Sequence, residues 1–332
     1  MKGTEYLTGL RGFAVLIVLL GHISNTGAHV IPGLDLHATA KAGVWLFFVL
    51  SAYLLTEKLV SDLTWHRRGA ALWRYSVRRV FRIMPTYLAF LAGLVALSEM
   101  NLGTALQHGV LARGEGHLWT IPVEMKFYVL LPFIAIALIL VEGRWRTPLA
   151  CAFVALSLIV YYAAGASNIS NNSVSLLNYL PFFAVGVLLA TTGLRGGSLI
   201  GWGGILSIVF LSPRFIGALT GMSIEQALAW SWLFAVAWGA VMSGAAHGLL
   251  NKCFSLRPLI FLGEISFSLY LVHYVVIAQI RAMADVNAIT GIVMVIFSIV
   301  IAYLVYRFVE VPTRDLGYRL TPYERSVAGS RR

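Results

Sequence analysis

Tyr6-Leu-Thr-Gly-Leu-Arg11-Gly-Phe-Ala-Val-Leu-Ile-Val-Leu-Leu-Gly-His22 decides what kind of protein this chain is. One guanidinium and one imidazole punctuate a run that is otherwise almost wholly apolar, and a membrane crossing needs about 20 such residues. A cleaved leader keeps its apolar core free of charge. Arg11 therefore marks a retained membrane helix that carries a buried functional charge.

Runs of the same kind recur as far as Phe308, and helices are expected near 7–25, 40–60, 80–98, 118–141, 148–165, 176–193, 198–213, 227–249, 258–280 and 287–308. Of the 332 residues, 59% are hydrophobic and 12% charged, an apolar excess well beyond the roughly 45–50% of soluble domains. Lipid offers an exposed backbone no hydrogen-bond partner, and these runs are too long and too uniformly apolar for barrel strands. The fold class is all-α: a polytopic integral membrane protein of about ten transmembrane helices. Those crossings use nearly the whole chain, so one transmembrane domain over 1–332 is expected. Residues 309–332 are then expected to form a short basic cytoplasmic tail, with no room left for an appended soluble domain.

A net charge of +11 would suggest nucleic acid in a soluble protein, but basic residues collect in the cytoplasmic loops of membrane proteins. Lys58, Arg67, Arg68, Arg74, Arg78 and Arg79 fall between the second and third runs. Lys2, Arg144, Arg146, Arg195, Lys252, Arg257 and the tail arginines lie on the same side, whereas the opposite loops carry only Lys41, Arg113, Arg214 and Arg281. Both termini are expected to face the cytoplasm. Cys151 and Cys253 lack metal-ligand spacing and read as packing residues, so no metal is expected. The Asn/Ser-rich turn from Asn168 to Ser173 holds two Asn-x-Ser sequons, which read as chance occurrences.

Ionisable groups inside a span cost about 2.5–3.5 kcal/mol each on insertion scales, so those that persist are candidates for function. They are Arg11 and His22 in the first helix, Glu124 and Lys126 in the fourth, His273 in the ninth, and Arg82 at the mouth of the third. Eleven residues separate Arg11 from His22, which returns to nearly the same helix face about 16 Å further along the axis. With the N-terminus inside, His22, Glu124 and His273 come to similar depth beneath the outer surface. Lys126 is two residues from Glu124, cannot face it on a helix, and is assigned no chemistry. In Arg74-Tyr-Ser-Val-Arg78-Arg79-Val-Phe-Arg82, the i,i+4 and i,i+3 spacings gather guanidinium groups suited to phosphate oxygens.

These residues also sit in recognisable surroundings. The opening stretch from Tyr6 to His22 resembles the first helix of acyltransferase 3 proteins, and Gly43-Val-Trp-Leu-Phe-Phe-Val-Leu-Ser51 resembles their second. Arg78-Arg79-Val-Phe-Arg82-Ile-Met-Pro85-Thr-Tyr87 is similar to the family's Arg-x-x-Arg element, and Trp119-Thr-Ile-Pro-Val-Glu124 to its Trp-Ser-Leu-x-Val-Glu motif. Ile265-Ser-Phe-Ser268-Leu-Tyr270-Leu-Val-His273 and Phe308-Val-Glu310-Val-Pro312-Thr-Arg314 resemble the closing motifs, so the likeness runs along essentially the whole chain. Two departures stand out. Ser51-Ala52-Tyr53 replaces the usual Ser-Gly-Phe, and Glu124-Met125-Lys126 lacks the usual second carboxylate.

The resemblance implies transfer of an acyl group, commonly acetyl, from cytoplasmic acyl-CoA to a hydroxyl of an extracytoplasmic carbohydrate, in a bacterial cytoplasmic membrane. On that basis His22 is expected as general base and Glu124 as the group that orients it. Arg79, Arg82, Arg11 and Arg78 are expected to hold the donor, and Trp119, Tyr270, His273 and Ser268 to line the acceptor side. The expected partners are acyl-CoA, the acceptor and membrane lipid, with no nucleic acid. The competing class is a proton-coupled transporter of a glycan, lipid or small molecule, in which intramembrane His and Glu are equally natural.

Overall fold

The computed structural model describes residues 5–31, 33, 35–165, 172–194 and 196–323, and every regular element among them is helical. The first half contains α1 (Glu5–Ser24), α2 (Ala40–Trp65), α3 (Arg68–Ala96), α4 (Leu102–Gly109), α5 (Thr120–Leu140) and α6 (Gly143–Ala163). A 3-10 turn (Leu176–Tyr179) leads into α7 (Leu180–Thr192), followed by α8 (Ser198–Phe210), α9 (Pro213–Thr220) and α10 (Ile224–Leu228). The rest comprises α11 (Trp232–Gly244), α12 (Gly248–Phe254), α13 (Arg257–Glu264), α14 (Ser266–Met283), α15 (Ala288–Val305), a π-helical turn (Tyr306–Glu310) and α16 (Val311–Leu320).

Among the described residues, seven helices are long and apolar enough to cross a membrane: α1, α2, α3, α5, α6, α14 and the continuous run Ala288–Leu320. The chain is thus an integral membrane protein. Leu176–Thr192 and α8 are shorter apolar helices, and α11 with α12 forms a pair bent by 99°. The sequons at Asn168 and Asn171 lie outside the described residues.

Several boundaries differ from expectation. The third helix begins at Arg68, so Arg74 to Arg82 is helical and distributes its arginines around the helix. The eighth run splits, with α10 ending at Leu228 before α11 begins at Trp232. The ninth breaks at Ile265 into α13 and α14, and the last helix continues to Leu320, so 309–320 is ordered helix. Cys151 is exposed on α6, outside the core.

The break at Ile265 has a steric origin. Any Cβ on Gly9 or Gly12 of α1 would collide with the carbonyl oxygens of Phe254 or Leu259, and one on Gly263 would strike that of Thr8. Small residues let membrane helices approach backbone to backbone, and here they hold α13 across α1. That crossing fixes the direction of α13, and α14 sets off afresh at Ser266. Gly43 meets the Ala14 carbonyl in the same way and presses α2 onto α1.

On its other side α2 carries Trp45 and Phe48 into an aromatic cluster. Trp45 stacks on Phe182 of α7, and Phe48 packs against Phe183 and Trp119. Trp238 of α11 donates its indole N–H to the Ala42 carbonyl at 2.9 Å. Helices α1 and α2 are therefore enclosed by protein over most of their length.

Candidate active site

His22 lies near the end of α1, and its Nδ1 is 2.8 Å from Nε2 of His273 on α14. The two rings are nearly coplanar, tilted by 10° with centroids 5.0 Å apart. Taken with the short N–N contact, that is an edge-to-edge hydrogen bond in the ring plane rather than a stack. Nδ1 of His273 is 3.1 Å from the Leu269 carbonyl oxygen. A carbonyl only accepts, so this nitrogen carries the hydrogen and Nε2 of a neutral His273 carries the lone pair. His22 must then donate from Nδ1, and its Nε2 is left as an acceptor. Those tautomers are assigned from the hydrogen-bond network.

His22 lines a cavity of about 470 Å³ whose walls also include Asn25, His37, Lys41, His117, Trp119 and Tyr270. His117 is a site residue that the sequence reading missed. It belongs to the turn before α5, donates from Nε2 to the Leu271 carbonyl at 3.0 Å, and stacks on Tyr274, which also packs edge-on against His22. Burial, reinforced by repulsion from His22, holds its pKa down at about 3, against a smaller upward effect of the Leu271 hydrogen bond. The available signal was a histidine two residues before Trp119, at the mouth of a span.

Tyr270 and Val44 line this outer cavity and also a narrower one of about 50 Å³ that continues past Phe48, Ser51, Glu124 and Arg11. Arg11, Ser51, Glu124 and Phe267 are shared in turn with an inner cavity of about 80 Å³, lined by Arg79, Arg82 and Tyr128. Three cavities with common walls thus run from His22 to the arginines of α3.

Glu124 belongs to the lower part of this path. It accepts from Ser51 Oγ at 2.9 Å and from the Tyr128 hydroxyl at 2.5 Å, and it lies within electrostatic reach of Arg11. The imidazole partner of His22 is His273, in place of the expected Glu124. The displacement has a simple cause: His117 and Trp119 occupy the wall of the His22 cavity just ahead of α5, which leaves Glu124 one level deeper. Lys126 turns away and donates to the Val174 carbonyl at 2.7 Å.

The arginines divide. Arg79 lines the inner cavity and has no hydrogen bond or ion pair among the described residues. Arg82 lines it too, but its guanidinium is bound to Glu310 at 2.8 Å. Glu310 is fully buried and also accepts from Ser268 Oγ at 2.6 Å. Ser268 therefore serves this ion pair and does not line the cavities that Tyr270 borders, since it lies on the side of α14 opposite to Tyr270. The π turn that ends in Glu310 precedes Pro312, whose ring cannot sit over the Phe308 carbonyl in a regular α-helix. Arg78 does not line the inner cavity: it points to the C-terminal segment and donates to Thr321 Oγ1 and to the Thr321 carbonyl, at 2.9 and 2.5 Å. Among the described residues no group of three or more His, Cys, Asp or Glu side chains is disposed to hold a metal ion.

Fold and site together define a polytopic membrane protein with a chain of cavities, each lined in part by ionisable side chains, through its core. It belongs to the acyltransferase 3 family, whose acyltransferase domain matches residues 4–307. The chain is similar to the O-acetyltransferase OatA of Staphylococcus aureus strain NCTC 8325 / PS 47, 23% identical over 359 residues. It is also similar to the peptidoglycan O-acetyltransferase OatA of Listeria monocytogenes serovar 1/2a, 25% identical over 368 residues. These alignments cover 94% and 96% of this chain but 57% of each relative, so the chain spans little more than half the length of the curated relatives it matches. No solved structure matches the chain significantly.

Proposed function

We propose that this chain is a single transmembrane O-acyltransferase domain that moves an acyl group, most simply acetyl, from cytoplasmic acyl-CoA to a hydroxyl of an extracytoplasmic carbohydrate. The observation that carries the reading is the file of shared-wall cavities joining the arginines of α3 to the free nitrogen of His22. Membership of the family supports acyl transfer over transport. The peptidoglycan acceptor named for the Listeria relative makes a cell-wall sugar the first acceptor to test. The expected setting is a bacterial cytoplasmic membrane with both termini inside. Ten crossings result if Leu176–Thr192, α8 and α11 are added to the seven longer spans.

In this mechanism the donor enters at Arg79, whose planar guanidinium suits phosphate oxygens. Its thioester advances past Arg11 and Glu124 toward Tyr270. The acceptor hydroxyl lies in the outer cavity against Nε2 of His22. As its oxygen attacks the thioester carbonyl, the proton passes to Nε2, the C–S bond breaks, and the imidazolium returns the proton to the departing CoA sulfur. His273 fixes the reactive tautomer of His22 and accepts from it throughout, the role a carboxylate fills in a triad. Glu124 balances Arg11 along the passage and, with Ser51 and Tyr128, shapes the route of the acyl chain.

The test is transfer from radiolabelled acetyl-CoA to cell-wall glycan by purified protein in proteoliposomes. His22→Ala is expected to lower turnover about 10²–10⁴-fold with normal protein yield. Turnover within a factor of two of the parent would remove His22 from the chemistry.

A further inference from the structure

Below the inner cavity, toward the ends of α2 and α3 that meet the C-terminal segment, the ring of Tyr323 lies in a cationic clamp. The guanidinium carbons of Arg74 and Arg78 are each 4.7 Å from its centre, and Lys58 Nζ is 5.0 Å away. The Tyr323 hydroxyl donates to the Asp62 carboxylate at 3.2 Å and accepts from Arg78 at 3.3 Å. Asp62 also pairs with Lys58 at 2.9 Å. Arg74 is 96% buried, and its Nε and Nη2 have no hydrogen-bond partner among the described residues. A buried guanidinium with unused donors is costly, so a ligand that supplies acceptors to it is strongly favoured.

The clamp has a chemical pattern of its own. It holds a flat ring between cations, takes one donor hydrogen from that ring on a carboxylate, and has spare guanidinium donors beside it. A purine with an exocyclic amine and an adjacent phosphate meets every part of that description: the amine donates to Asp62, the ring lies over Arg74 and Arg78, and the phosphate faces Arg74 and Lys58. Lys58 lies one helical turn beyond Leu54 and Leu55 of the inner cavity wall, so a nucleotide here continues the same route.

We propose that this clamp binds the adenosine 3′,5′-bisphosphate end of the acyl-CoA donor and that Tyr323 occupies it in the donor-free enzyme, leaving when the nucleotide enters. The inference rests on the donor assignment made above and deepens it, because it gives the nucleotide a separate site and makes the C-terminal segment its competitor.

Binding of adenosine 3′,5′-bisphosphate and of intact CoA to the detergent-solubilised full chain, followed by calorimetry, tests this. Tyr323→Ala is expected to tighten both about tenfold by removing the competitor. Arg74→Gln is expected to weaken both about tenfold by removing charge-assisted donors. Tyr323→Phe, which keeps the ring but frees Asp62, is expected to fall between parent and alanine variant, and melting temperatures check that all three variants remain folded. Nucleotide binding that is unchanged or weaker in folded Tyr323→Ala overturns the competitor role, and unchanged binding in Arg74→Gln overturns the site. Failure of intact CoA to bind the parent chain instead overturns the donor assignment itself.

Discussion

The outer and inner halves of the membrane core handle buried polar groups in opposite ways. Around His22 the hydrogen-bonded groups are neutral: two imidazoles share one hydrogen, a backbone carbonyl ends the chain, and neighbouring His117 is kept uncharged by burial. Around Arg82 the groups are charged and matched, with a fully buried Glu310 bridging the guanidinium and Ser268. Neutral groups tolerate lipid depth and leave a lone pair for chemistry. A matched pair tolerates the same depth only while both members are present. The outer half keeps an imidazole lone pair available, and the inner half ties α3, α14 and the C-terminal helix together.

Breaking the inner pair should have the largest effect. Glu310→Gln leaves Arg82 uncompensated in the interior and is expected to cost about 3–5 kcal/mol of stability, read as a large drop in melting temperature. Replacing Arg82 and Glu310 together by Met and Leu should recover most of it; equal loss in the single and double variants would show that the pair is not the source. In the outer half, His273→Leu should leave the fold intact but lower turnover about 10²-fold by releasing the His22 tautomer. His273→Gln, which restores an acceptor, should regain much of that activity, and equal rates for the two variants would deny His273 an orienting role.

Arg79 tests the boundary between the halves, since it lines the path without an ion pair to lose. Arg79→Gln is expected to raise KM for acyl-CoA about tenfold with little change in kcat or melting temperature, and an unchanged KM would confine Arg79 to topology. The last test concerns pH, and its effect is small near neutrality. His117 stays neutral in the fold down to about 3, whereas an unfolded histidine binds its proton below about 6.5. The unfolded state therefore holds more protons, and stability that is complete above about 6.5 falls as pH drops toward 3, by at most about 1.4 kcal/mol per pH unit. His117→Gln should flatten the slope of melting temperature against pH between 6.5 and 4.5; identical slopes would relieve His117 of that contribution.

Much of this contrast was legible in the chain. The spacing of Arg11 and His22 put them on one wall of α1, and both line the cavity path. Depth counting brought His273 close to His22, and the two rings do meet. Depth counting was also what misled, because it treats each helix as starting from a common plane. The turn carrying His117 and Trp119 fills the outer layer before α5 begins, so Glu124 is carried down beside Arg11. Helical spacing grouped Arg78 with Arg79 and Arg82, but it does not show that Arg78 points to the C-terminal segment while the other two line the inner cavity. Nothing local in the sequence says that Thr321, more than 240 residues on, will fold back to claim it. The glycines of α1 were visible in the first motif, but their meaning depends on α13, a partner that a single-chain pattern does not name.

The hydrogen-bond chain that begins at His22 stops at Leu269, on a carbonyl that has no hydrogen of its own to pass along. A proton on His22 can thus travel along this chain no further than His273. Along this chain the protein is an insulator, and a cell can keep many copies in an energised membrane without short-circuiting its ion gradient through these histidines.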